Sequence, residues 1–252
     1  MHAEAQMSKI SLNTDNLLNP QTNKEPLRLE DLENRIINAD CMDILKQLPD
    51  KCVDLVLTDP PYGIGFKYNT YQDTKENLIE LVNNFVPECI RVSKRLAIFT
   101  GITNAHIYPN PEWMMCYKWN TTGSFGFYGY NQWQPVLLYG KDIKGFGNVN
   151  GIIKSDVMEF SGGNGVGFLR DNEKEIHCCP KPKNVIEGFL KRLSNENELV
   201  LDCFSGSGTT AVACHRLNRR FICIEKDKEY WEASVKRLED ERKQLSLFGG
   251  NE

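Results

Sequence analysis

The segment Val53 to Thr58 is an almost unbroken apolar run, and it stops at Asp59-Pro60-Pro61-Tyr62-Gly63. A run that short, closed by prolines, reads as a strand buried on both faces. Leu96 to Thr100 is a second such run, and further strands are expected at 198–202 and 220–224. Arg35 to Ala39 reads as a short strand ending at Asp40, and Trp113 to Trp119 and Pro135 to Tyr139 as two more. Helical spacing separates them, over 41–48, about 75–93, 183–193, 209–218 and 227–243, with one short helix at 28–33. About seven strands alternating with helices predict an α/β fold, a doubly wound and mostly parallel sheet. In such sheets ligands bind beyond the carboxyl ends of the strands, at the switch point.

The chain has 252 residues, enough for one α/β domain with a full core. Residues 1–34 are polar and read as a flexible N-terminal extension, 35–243 as the domain, and 244–252 as a C-terminal tail. The polar stretch 64–73 reads as a mobile loop, and the glycine-bearing 141–176 as a loop-rich insert. Net charge is −4, so nothing at whole-chain level marks a nucleic-acid binder. Local basic clusters would have to serve: Arg91, Lys94 and Arg95; Lys181 and Lys183; Arg216, Arg219 and Arg220. Solvated helix ends are the plainer reading of each. The nine cysteines include no CxxC pair, so no zinc cage and no metal is expected. With no apolar run of membrane-spanning length, no membrane partner is expected and the location should be cytoplasmic.

Leu199-Val200-Leu201-Asp202-Cys203-Phe204-Ser205-Gly206-Ser207-Gly208-Thr209-Thr210 runs strand, glycine turn, helix. Glycines 206 and 208 allow close backbone approach to a ligand, and the helix offers free N–H groups. The next strand ends at Glu225, whose carboxylate could accept both hydroxyls of a ribose. This is the general nucleoside-cofactor pattern. Position 211 is Ala rather than a third glycine, which lowers the dinucleotide reading.

In Asp59-Pro60-Pro61-Tyr62 two prolines remove two N–H donors and stiffen the turn. The Asp59 carboxylate and the Pro60 carbonyl become paired acceptors beside an aromatic ring. An arylamine is a poor nucleophile because its lone pair is delocalised. Two acceptors gripping its N–H bonds would turn the nitrogen toward tetrahedral geometry and stabilise developing positive charge. Tyr62 would stack on a base turned out of the duplex.

Together the DPPY and FxGxG motifs resemble the signature of DNA methyltransferases that modify exocyclic amines. Their order, DPPY first, resembles the circularly permuted β class. The match extends to Asn38-Ala39-Asp40 and to His177-Cys178-Cys179-Pro180-Lys181-Pro182, covering about residues 35–240. Cys178, Cys179 and Cys203 depart from the usual residues. The resemblance implies a Rossmann-like fold of seven strands that binds S-adenosylmethionine (AdoMet) and double-stranded DNA. It implies that Phe204, Ser205, Gly206, Gly208 and Thr209, beside Asp202, line the methionine part. By the same resemblance Glu225 binds the ribose, Asp40 approaches the adenine and Lys181 holds the methionine carboxylate. Asp at the first position of the motif accompanies adenine in this family, and Ser accompanies cytosine, so adenine is expected and cytosine 4-amino methylation is the alternative. An NAD oxidoreductase or a non-catalytic DNA-binding module are more distant readings.

Target recognition is expected in 120–134 and 141–176, with Asn148, Asn150 and Arg170 as candidates to read base edges. Gln244-Leu245-Ser246-Leu247-Phe248 resembles the pentapeptide by which bacterial proteins bind the replication sliding clamp, although the segment could equally cap the domain. A homodimer is compatible with the sequence, and the expected setting is the nucleoid of a bacterial or phage-infected cell.

Overall fold

The computed structural model describes residues 28–119, 125–126, 129–140, 148–149, 152–160 and 181–248. In chain order these form α1 (Leu29–Leu32), β1 (Arg35–Asn38), α2 (Cys41–Leu45), β2 (Val53–Thr58), α3 (Lys75–Val92) and β3 (Ser93–Phe99). A 3-10 turn (Ile102–Ile107) leads to β4 (Trp113–Trp119). The short strands β5 (Phe125–Gly126) and β6 (Gly129–Tyr130) precede β7 (Trp133–Tyr139), and β8 (Asn148–Val149) and β9 (Ile152–Ile153) precede β10 (Val157–Phe160). Then come α4 (Lys183–Leu193), β11 (Leu199–Asp202), α5 (Thr209–Arg216), β12 (Arg220–Glu225) and α6 (Lys228–Phe248).

Eight strands make one sheet in the order β1-β12-β11-β2-β3-β7-β4-β10. Only β7 runs against its neighbours. The chain leaves β2 for β3 on one side and leaves β11 for β12 on the other, so the switch point lies between β2 and β11. Both expected motifs therefore emerge from neighbouring carboxyl ends.

Strand alternation explains the two cores. Leu96 and Ile98 face a layer that includes Leu45, Leu78, Phe85 and Val86 of α2 and α3. Ala97 and Phe99 face Phe189, Leu190 and Val212 of α4 and α5. A parallel sheet needs both faces covered, because crossover helices lie on each. That is why these strands read as continuous apolar runs.

The structure corrects the expected element count and some bounds. The main sheet has eight strands rather than seven. The extra one, β10, lies inside the segment read as a loop-rich insert, pairs in parallel with β4, and alternates in exposure as a sheet edge does. The helix expected to stop at 243 continues to Phe248, so 244–248 belong to α6. The stretch read as mobile after Tyr62 is anchored. Asp73, 2% exposed, accepts the backbone N–H groups of Gly63 (2.6 Å), Ile64 (3.1 Å) and Phe66 (2.9 Å).

The edge strand is held through a glycine. A Cβ at Gly188 would stand 2.7 Å from the Phe160 ring. That ring packs on Tyr117 and Phe189, with centroids 5.5 and 6.3 Å away. Gly188→Ala should therefore destabilise the protein by about 1–2 kcal/mol, as overpacking outweighs the helix-propensity gain. In a Phe160→Val background the same change should become stabilising, by about 0.5–1 kcal/mol. Denaturant unfolding of the four proteins checks the reversal of sign.

Candidate active site

Asp202 ends β11 and is 5% exposed. Its Oδ1 accepts the Thr58 hydroxyl (2.9 Å) and the Phe204 N–H (3.1 Å), and its Oδ2 accepts the Thr210 hydroxyl (2.6 Å). Thr58 in turn accepts the Cys203 N–H at 3.2 Å. One carboxylate thus ties the end of β2 to the glycine turn and to the first turn of α5. Burial pushes its pKa up to about 6, against these hydrogen bonds.

The turn curls back onto Glu225. Gly206 donates its N–H to Glu225 Oε2 at 2.7 Å, and Asp227 donates to Oε1 at 2.8 Å. Burial also pushes the Glu225 carboxyl up. Gly208 has φ +77°, and a Cβ there would stand 2.9 Å from Ser234 Cβ in α6. Its need for glycine therefore comes from left-handed backbone and close helix packing. Phe204, Ser205, Gly206 and Thr209 line the cavity, whereas Gly208 faces α6. From α6, Arg237 reaches the Ser207 carbonyl (3.1 Å) and the Thr209 hydroxyl (3.2 Å).

Asp40 follows β1, beside Glu225, because Asn38 and Glu225 are register partners. It caps α2 through the Met42 N–H (2.9 Å) and pairs with Lys226 (2.9 Å). Burial pushes its pKa up, but Lys226 and the Met42 N–H outweigh that and hold it below the usual range.

Across the switch point, Tyr62 donates its hydroxyl to Asp59 Oδ1 at 2.5 Å. Lys181 donates to Asp59 Oδ2 at 2.6 Å and to the Tyr62 oxygen at 2.9 Å. Lys181, expected to meet a cofactor carboxylate, is thus on the Asp59 side, with its ammonium 5.3 and 5.4 Å from the Tyr62 and Phe99 ring centres. Burial, then Asp59, raises the Tyr62 hydroxyl well above its ordinary pKa. Asn104 fixes the Tyr62 carbonyl at 2.6 Å, and Gln134 of β7 reaches the Tyr62 hydroxyl at 3.4 Å.

Both halves open into one cavity of about 670 Å³, with Asp40 and Glu225 in one part and Asp59, Tyr62 and Lys181 in another. A volume of this order accommodates a nucleoside-sized cofactor and part of a second ligand. The carboxylates at the ends of β1 and β12 supply acceptors for ribose hydroxyls and an adenine amine, so the donor and acceptor set fits AdoMet. Among the described residues no group of His, Cys, Asp and Glu could hold a metal ion.

The two arginine-bearing candidate clusters do not stand as free patches. Arg91 pairs with Glu88 and Asp50, Lys94 with Asp54, Arg95 with Glu198, Arg216 with Glu241 and Arg220 with Glu33. Arg219 donates to the Ser194 and Leu217 carbonyls. His177, Cys178, Cys179, Pro180, Asn150 and Arg170 lie outside the described residues, as do the side chains of Asn148 and of Leu245, Ser246, Leu247 and Phe248. Gln244 is exposed on α6. Sequence reasoning missed Thr58, Asp73, Asn104, Thr210 and Arg237. Thr58 and Thr210 adjoin the motifs and could have been proposed, but the other three gain their roles only in three dimensions.

Residues 156–236 match the DNA methylase family. The type II methyltransferase M.HpaI of Haemophilus parainfluenzae is 31% identical over 243 residues, covering 83% of this chain and 76% of the relative. The DNA adenine methyltransferase YhdJ of Escherichia coli (strain K12) is 27% identical over 261 residues, covering 87% of each. The crystal structure of M1.HpyAVI superposes with a TM-score of 0.56 at 25% identity, covering 81% of this chain and 98% of that one. M1.HpyAVI has also been crystallised as a SAM complex.

Asp202 generates a prediction about pH. Its folded pKa of about 6 exceeds the ordinary 3.8, so its ionisation costs stability as pH rises between those values. Asp202→Asn keeps an oxygen toward Thr58 and Phe204 and turns an amide toward the Thr210 hydroxyl. The unfolding free energy of the variant relative to the parent should rise by up to about 3 kcal/mol between pH 4 and pH 7. A difference independent of pH, in denaturant titrations at both values, would contradict the clamp as described.

Proposed function

The chain belongs to the DNA methylase family, and on that footing we propose that it transfers the methyl group of AdoMet to the 6-amino group of adenine in duplex DNA. The observation that carries this reading is the Thr58–Asp202 hydrogen bond, which sets the Asp59 turn and the glycine turn side by side on one cavity. AdoMet, when bound, supplies a methyl group activated by a sulfonium.

We assign Glu225 to the ribose, Asp40 to the cofactor's adenine, and Phe204, Ser205, Gly206 and Thr209 to its methionine part, with Lys181 available to the methionine carboxylate. Asp202 and Gly208 act at one remove, by shaping the turn. The Asp59 carboxylate and the Pro60 carbonyl accept the two N–H bonds of the base amine. An incoming amine competes at Asp59 with the Tyr62 hydroxyl and the Lys181 ammonium, which now hold both oxygens. The fixed carboxylate then stabilises the positive charge that grows on nitrogen, and takes the proton only after the methyl has arrived. Holding amine and methyl in line supplies the entropic share of the acceleration. Pro61 keeps the turn stiff, and Tyr62 offers its ring face to the flipped base. Asp59 as the first motif residue supports adenine over cytosine, and the naming of YhdJ as an adenine methyltransferase agrees with it.

The C-terminal pentapeptide 244–248 is, in this reading, a contact for a replication sliding clamp that would raise the enzyme's concentration on newly copied DNA. Its placement on α6 means that docking in another conformation would require the last turn to unwind.

Asp59→Ala should lower methyl transfer to duplex DNA at least 100-fold while AdoMet affinity, by calorimetry, changes less than about threefold. Nucleoside mass spectrometry of DNA methylated by the parent should give 6-methyladenine, and 4-methylcytosine would replace adenine with the other amine. Deleting 244–252 should abolish clamp binding in surface plasmon resonance and spare methylation of a short duplex. Lost thermal stability on deletion would instead mean that the segment packs on the domain.

A further inference from the structure

The part of the cavity beyond Asp59 is bounded by the antiparallel pair β4 and β7. Tyr117 and Gln134 are register partners there, and Trp119 stands two residues further along β4 on the same face. Phe99, Tyr117 and Trp119 form a chain of rings, with centroids 6.4 and 5.2 Å apart. All four residues line the cavity.

Trp119 differs from its neighbours in one respect. It is 5% exposed, and its buried indole N–H has no hydrogen-bond partner among the described residues. Buried donors are rarely left unmade, because desolvation without a partner is costly. An unmet donor lining a substrate cavity points to an acceptor that a ligand brings. Distance agrees. Gln134 reaches the Tyr62 hydroxyl, and that hydroxyl sits on Asp59. Trp119 lies diagonal to Gln134, with Cβ atoms about 7 Å apart in such pairs. The indole thus stands one diagonal pair and one side chain away from the Tyr62–Asp59 contact, in the lining of the same cavity.

We propose that Trp119 donates its indole N–H to a ring nitrogen of the target base and so fixes the base's rotation about the amine held by Asp59. This rests on the methyltransferase reading and deepens it. Adenine carries three ring nitrogens able to accept, at N1, N3 and N7, and keto bases turn one such position into a donor. Trp119 thereby reads the base itself, independently of whatever reads the surrounding sequence.

The test is a cycle between enzyme and substrate. Sequencing modified bases in cells expressing the full chain supplies the site. Duplexes of that site are made with adenine, 1-deazaadenine, 3-deazaadenine or 7-deazaadenine at the target. kcat/KM is measured for the parent and for Trp119→Phe, which keeps the ring packing and removes the N–H. The parent should lose about 10-fold on one deaza analogue, and Trp119→Phe should be about 10-fold slower on adenine with no further loss on that analogue. The ratio within each protein is unaffected by any loss of folded fraction. Equal losses in both proteins on every analogue would overturn the assignment while leaving DNA methylation intact. If the parent methylates cytosine instead, the same cycle with 3-deazacytosine applies and is scored the same way. Failure of the parent to methylate any DNA would overturn the functional reading and this inference with it.

Discussion

The hydrogen bond from Thr58 to Asp202 is the constraint on which the site depends. Neighbouring parallel strands bring their carboxyl ends together, but backbone pairing stops at the end of each strand. Beyond it the chain turns one way after β2 and the other way after β11. A buried carboxylate that accepts from Thr58, Phe204 and Thr210 extends the connection past the last ladder bond. The cost is a charge held where burial disfavours it, which the three donors offset only in part. Asp227 and Asp73 repeat the device nearby. Asp227 takes the Glu229 and Tyr230 N–H groups at the start of α6, and Asp73 takes three N–H groups after the Asp59 turn. Turns that would otherwise be loose are thus fixed around one cavity by acceptors under them.

The same cavity favours direct transfer. Cys41 and Cys203 both line it. Burial pushes the Cys41 thiol up, and the Cys89 thiol 3.7 Å away, together with burial, pushes up Cys203. Neutral thiols are weak nucleophiles, so neither is suited to carry a methyl group between cofactor and base. The Asp59 carboxylate, held by a hydroxyl and an ammonium, is suited to grip donors.

The fold was legible to the extent that hydrophobic burial dictated it. β2 was read to the residue because it is buried on both faces and closed by two prolines, and α4 because its apolar positions recur at helical spacing. β10 was not read, since an edge strand with exposed alternate residues looks like a loop. The two site motifs were legible as chemistry: acceptors, glycines and an acid at strand ends. What could not be read was long-range pairing. Lys181 is 122 residues from Asp59, and Asn104 is 42 residues from Tyr62. The partners of the basic clusters were hidden for the same reason, because the acids that pair with Lys94 and Arg216 lie 40 and 25 residues away.

The stereochemical course at the transferred carbon tests this account most directly. The protein is given AdoMet whose methyl group is chiral through hydrogen, deuterium and tritium, and the configuration is determined in the methylated DNA. Direct transfer between the two halves of one cavity predicts inversion. Net retention would mean that the methyl first rested on a group of the protein, and would contradict it.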